Sequence, residues 1–200
     1  MRRAWMRSWL SVSGLALLGT IGTLFLARPP AANASPGSRA NELTLAGLQP
    51  GRSTVFHALK MYKGAKRNPR DETFSVRDIC RGQMLTITPE EHSVQNVRVA
   101  DDGEGHTTEC LYRKGKIAPN RWVTGRGLAV GDLRKRVLDL YGEPNSVSPS
   151  TKDGKPLELL YYAFDWAGPD VPQVMEVVCT REKDGKPGRV VEITLAAPSL

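Results

Sequence analysis

Two stretches of this chain, 80 residues apart, spell the same local plan. Gly47-Leu48-Gln49-Pro50-Gly51 precedes a helical stretch ending at Tyr62 and Gly64, and Gly127-Leu128-Ala129-Val130-Gly131 precedes one ending at Tyr141-Gly142. Such repetition constrains architecture more than composition does, because both copies call for the same local structure. In the first copy Ser53 is the expected N-cap, Val55, Leu59 and Tyr62 share a face, and Gly64 supplies a left-handed stop. In the second, Asp132 caps, Leu133, Val137, Leu140 and Tyr141 line a face, and Gly142 ends the helix with Pro144 beyond. Helices this short do not stand alone in water, so each needs a sheet to lie on.

The remaining pattern supplies strands. The segment KDGKP occurs at 152–156 and again at 183–187, and Asp-Gly between extended runs is a strong hairpin signal. It divides the C-terminal half into strands near 145–151, 157–166, 172–181 and 188–196. Glu72–Ile79, Gln83–Thr88, Val94–Ala100 and Thr107–Arg113 read the same way, with a turn at 101–105. The fold class expected is therefore α+β: two tandem helix-then-antiparallel-meander units at 43–113 and 127–200, connected by 114–126. Units of this size bury little alone, so their sheets are expected to join or pack face to face.

The N-terminus reads as an export signal. Arg2, Arg3 and Arg7 precede 19 uncharged residues from Trp9 to Ala27, and Ala32-Asn33-Ala34 offers an A-x-A cleavage site. The expected signal peptide is 1–34, followed by a loose lead-in over 35–42. An uncleaved anchor is the alternative, since 19 residues can just span a bilayer. Arg2-Arg3 also leaves twin-arginine export open beside the general route. Either way the body lies outside the cytoplasm, periplasmic or secreted. Cleavage removes four of the 28 basic residues and none of the 21 acidic ones, leaving +3 in place of +7. A nucleic-acid partner is not expected, because that reading rests on charge that is cut away. No membrane span is expected after cleavage.

The run Gly131 to Pro144, with its short helix, Tyr-Gly-x-Pro ending and following meander, resembles the superfamily of the β-lactamase-inhibitor protein and the SmpA/OmlA-type outer-membrane assembly lipoproteins. The Gly51-to-Gly64 copy is one residue longer between its Gly and its Tyr and lacks the closing Pro. The resemblance covers about 20 residues in each half. It implies a non-catalytic, exported, protein-binding fold. The lipoproteins' acylated Cys has no counterpart here, and the resemblance assigns no functional residue.

Chemistry-bearing motifs are few. There is no G-x-S-x-G, S-x-x-K, C-x-x-C or H-x-x-x-H. Three cysteines in an oxidising compartment imply one bridge. Cys80–Cys110 is expected, with Cys179 buried and unpaired, and Cys80–Cys179 is the alternative. His106 and Cys110 with Cys80 could imitate a zinc site, but a disulfide beside a surface histidine accounts for them, and no metal or cofactor is expected. Basic clusters lie at Lys60, Lys63, Lys66, Arg67 and Arg70, at Arg113, Lys114, Lys116 and Arg121, and at Arg134, Lys135 and Arg136. They are either solvated faces or docking points for an anionic envelope component. Tyr161, Tyr162 and Trp166 on one strand, with Trp122, are the expected protein-contact aromatics. The function expected is non-catalytic binding of an envelope or secreted protein through a sheet and the basic helix surface of Arg134, Lys135 and Arg136. Two rivals are an inhibitor of a secreted enzyme and an envelope hydrolase or thiol enzyme using His106 with Cys179.

Overall fold

The computed structural model describes residues 41–103, 122–165, 172–182 and 185–197. All belong to one compact unit, Gly37–Leu200, which contains the entire hydrophobic core. The described residues build helix α1 (Val55–Met61), strands β1 (Lys66–Arg67), β2 (Phe74–Asp78), β3 (Gln83–Glu90) and β4 (Ser93–Asp101), helix α2 (Arg134–Tyr141), and strands β5 (Ser146–Lys152), β6 (Lys155–Asp165), β7 (Pro172–Thr180) and β8 (Val190–Ala196). Every neighbouring pair is antiparallel, in the order β1-β2-β3-β4-β8-β7-β6-β5.

This corrects the expected fold class. The described residues do not form a balanced α+β pair of helix-and-meander units. They form mostly one eight-stranded antiparallel sheet carrying two helices of seven and eight residues. The reason is the seam between β4 and β8. These strands pair continuously from Asn96↔Ala196 to Ala100↔Glu192, so both halves of the sequence share one hydrogen-bonded ladder and one core. Neither meander has to bury its apolar face by itself.

Seven of the strands fall where alternation and the turn signals put them, and the two-residue β1 has no such signal. The expected strand at 107–113 lies outside the described residues. Between β5 and β6, Asp153 and Gly154 both take positive φ, 52° and 71°, the conformation whose twist suits a two-residue hairpin.

The helix caps differ from expectation for a physical reason. Thr54, not Ser53, caps α1 by accepting from the His57 N–H at 3.1 Å. The Ser53 hydroxyl instead accepts from Gln49 N–H at 2.8 Å. Likewise Asp132 accepts from Ala129 N–H at 2.9 Å, and α2 starts at Leu133 without a side-chain cap. Both residues brace the G-L-x-x-G loop instead of the helix. Their backbones then join the sheet's central strands, Val94 N–H to Ser53 O at 2.8 Å and Val190 N–H to Asp132 O at 2.9 Å. At the other end of α1 the cap is Tyr62, and Gly64 does not adopt positive φ.

One sheet face carries the core. Leu85, Val99, Ile193, Val177 and Leu160 form one register row, and Ile87, Val97, Leu195, Met175 and Tyr162 the next. All ten are buried, together with Ala58 and Tyr62 of the α1 end and Val137 and Tyr141 of α2.

Two buried polar side chains in this interior behave in opposite ways. Glu42, 1% exposed, was expected to end a loose lead-in. Instead one carboxylate oxygen accepts from Leu43, Thr44 and Gly125 N–H at 2.9, 3.0 and 2.9 Å. The other accepts from Arg126 N–H at 3.0 Å and from the Tyr141 hydroxyl at 2.7 Å. Gly125 is required there, since a Cβ would stand 2.6 Å from the Glu42 carboxylate. Gln173, by contrast, is fully buried, and neither end of its amide has a hydrogen-bond partner among the described residues.

A buried polar group left unpaired costs about 1–3 kcal/mol, and opposite outcomes follow for the two sites. Glu42→Ala leaves the Leu43, Thr44 and Arg126 N–H groups without this acceptor, while Gly125 N–H keeps Thr44 O and the Tyr141 hydroxyl keeps Thr124, so urea unfolding of residues 35–200 should show a loss of about 3 kcal/mol. Gln173→Leu removes an unpaired amide at similar volume and should raise stability by about 1 kcal/mol in the same assay. A neutral Glu42→Ala or a destabilising Gln173→Leu would contradict these assignments.

Candidate functional site

The other sheet face is the candidate site. Residues alternating with the core rows point away from both helices, and no described element lies over them. Thr86, Arg98, Thr194, Glu176 and Tyr161 form its middle row across β3, β4, β8, β7 and β6. Thr88, Asn96, Ala196, Val174 and Ala163 flank it on one side, and Met84, Ala100, Glu192, Val178 and Leu159 on the other. All but the buried Ala100 are half-buried. The face mixes hydroxyls, small apolar groups and a few charges.

Its charges are organised around Glu192. Arg98 donates to the Glu192 carboxylate, which holds the guanidinium in its charged form. Lys152 Nζ lies 3.9 Å from the same carboxylate. At the rim Arg77 pairs with Asp102 at 2.6 Å. Glu176, between Thr194 and Tyr161, has no cationic partner among the described residues. The middle row therefore offers an acceptor, two hydroxyls and a phenol to a partner.

The sequence-predicted contact residues are scattered by this geometry. Tyr161 lies half-buried on the uncovered face. Tyr162 is fully buried, stacks on Phe164 with ring centroids 6.0 Å apart, and donates to Gly142 O at 3.0 Å. Trp122 is buried against Tyr62, edge-on at 6.4 Å. Both are core residues and present no surface to a partner. Trp166 lies outside the described residues.

The α2 cations are neutralised on the molecule. Arg134 pairs with Glu158, Lys135 with Asp139 at 2.7 Å, and Arg136 with Asp132 at 3.2 Å. They belong to the helix-bearing side and are not continuous with Tyr161. A cleft of about 420 Å³ beside Arg134 and Glu158 is also lined by Val147, Ser148, Pro149, Arg181 and Glu182. Among the described residues no group of three His, Cys, Asp or Glu could hold a metal ion.

Cys179 is a free thiol, fully buried in the core. Burial is the main cause pushing it up to about 12, Glu158 adds to the effect, and Arg134 opposes it. A thiol held protonated at neutral pH is a poor nucleophile. His106 and Cys110 lie outside the described residues, so the expected Cys80–Cys110 bridge does too.

No family model matches the chain, and no curated protein matches it. Among solved structures, the crystal structure of a cysteine-rich secretory protein from Staphylococcus aureus subsp. aureus Mu50 is similar at 10% identity and a TM-score of 0.43. The match covers 80% of this chain and 48% of that one, so the chain spans about half the length of that protein. At that level the likeness carries neither a fold nor a function across.

The thiol chemistry is open to direct counting. The folded protein at pH 8 should show no alkylation of Cys179 within an hour, while denaturant without reductant should expose one thiol, and reductant all three. Rapid native alkylation would contradict the buried assignment, and three thiols without reductant would remove the expected bridge.

Proposed function

We propose that residues 35–200 form an exported, non-catalytic binding module that receives a macromolecular partner, an envelope or secreted protein, on the uncovered sheet face. The observation that carries this reading is the face itself. It spans five strands, is uncovered by any described element, and mixes apolar groups (Val174, Val178, Leu159) with hydrogen-bonding groups (Thr86, Thr194, Tyr161, Glu176). Protein interfaces combine such groups, with an aromatic anchor near the centre. The export-signal pattern of residues 1–34 supports a location outside the cytoplasm, and the resemblance at Gly131–Pro144 supports binding over catalysis. Arg134, Lys135 and Arg136 do not enter the proposed surface, because each already has a carboxylate.

The reading is tested by capture from envelope extract on immobilised 35–200, washed at rising salt, with variants on the two sides of the sheet. Tyr161→Ala and Val178→Asp are expected to lower partner retention at least tenfold while leaving the fold intact by circular dichroism. Lys135→Ala is expected to change nothing. Retention insensitive to both sheet variants, or no stoichiometric partner at any salt, would overturn it.

A further inference from the structure

Helix α1 has an outer side that a water-facing helix does not ordinarily carry. Its inner side packs through Ala58 and Tyr62. By helical geometry the opposite side carries Phe56, His57, Lys60 and Met61, with Lys60 one turn from Phe56 and Met61 one turn from His57. Phe56 is 79% exposed and Met61 38%. A large ring this open to water is costly to keep unless something covers it.

Along the chain on either side of it the charge has one sign, and the two exposed acids near it in space, Glu90 and Glu91, belong to the β3–β4 turn that meets the start of α1, where Val55 N–H donates to His92 O at 3.0 Å. From Arg52 to Arg70 the chain carries six basic residues and no acidic one. Arg67 is paired with Glu72 at 2.8 Å. Lys60, Lys63, Lys66 and Arg70 are exposed and have no carboxylate partner among the described residues. The contrast with α2, where all three cations are paired, singles out this end of the molecule. An exposed apolar ring with unpaired cations following it along the chain is what a peripheral protein presents to a bilayer, the ring entering the acyl boundary while the basic groups meet headgroup phosphates.

We propose that the outer side of α1 seats this protein on an anionic lipid surface, with Phe56 as the inserted group and Lys60, Lys63, Lys66 and Arg70 as the headgroup contacts. This surface is separate from the uncovered sheet face and does not depend on that reading.

The test is cosedimentation of residues 35–200, which hold the whole core and lack the apolar 9–27 stretch, with vesicles of equal parts phosphatidylglycerol and phosphatidylcholine. Vesicles of phosphatidylcholine alone are the comparison. Binding is expected on the anionic vesicles only and should weaken as salt rises. Each lysine near an anionic surface is worth about fivefold in partitioning, so Lys60→Ala with Lys63→Ala should lower it roughly 25-fold. Phe56→Ser is expected to lower it about tenfold. Lys135→Ala, on the paired α2 surface, should leave it unchanged. All four residues are exposed, and circular dichroism verifies the fold of each variant. The proposal is overturned by no binding to either vesicle, by equal binding to both, by anionic binding that the α1 variants leave intact, or by an equal loss from Lys135→Ala.

Discussion

A single carboxylate sets the frame of this protein. Glu42 gathers backbone donors from its own segment and from the loop at Gly125 and Arg126, and it takes the hydroxyl of Tyr141 at the end of α2. Among the described residues no cation pairs with it directly. Five donors do so instead, which is the condition under which a buried acid is tolerated. Thr124 completes the arrangement by meeting Tyr141 at 2.7 Å and accepting from Leu128 N–H. Burial pushes the Tyr141 phenol well above its ordinary range, so it remains a donor at neutral pH.

The consequences run outward from that joint. Ala46 N–H reaches Val123 O and Gly125 N–H reaches Thr44 O, both at 2.9 Å. Thus the two G-L-x-x-G regions are clasped together, with Leu45, Leu48 and Leu128 wholly buried beneath them. Each loop also bonds to the start of a central strand, Gly51 to Val94 at 2.7 Å and Gly131 to Val190 at 2.8 Å. Where the loops sit decides where both helices begin, and hence which face of the sheet they cover. The uncovered face is the complement of that choice.

Local signals in the sequence located the strands because alternation and Asp-Gly turns are short-range properties. They could not show that β4 and β8 pair, since that seam joins residues about a hundred positions apart and has no local signature. This is why two units were expected where one sheet exists. The same limit explains the aromatics. Alternation correctly puts Tyr161 and Tyr162 on opposite faces, but only tertiary packing decides which face is covered, and Tyr162 is on the covered one. Glu42 left no trace at all: one acid in a polar stretch looks identical whether solvated or buried. The caps misled for a subtler reason, because Ser53 and Asp132 have the right chemistry for a cap and spend it on the preceding loop.

Charge clusters show how little a run of basic letters says before its partners are known. Arg134-Lys135-Arg136 is the densest basic run in the sequence, yet each member faces a carboxylate, at Glu158, Asp139 and Asp132. Exposed pairs of this sort are worth about 0–1 kcal/mol to stability, but they cancel the field a ligand would feel. The sparser cations around α1 keep theirs, and they stand beside an uncovered phenylalanine. Because α1 packs on the core face of the sheet, its outer side looks away from the row of Thr86, Arg98, Thr194, Glu176 and Tyr161. A molecule seated on lipid through Phe56 would hold that row outward, so the two surfaces can be occupied together. For a partner held on the same membrane, such seating would raise its effective concentration at that row without any change of conformation, because both would be confined to one surface.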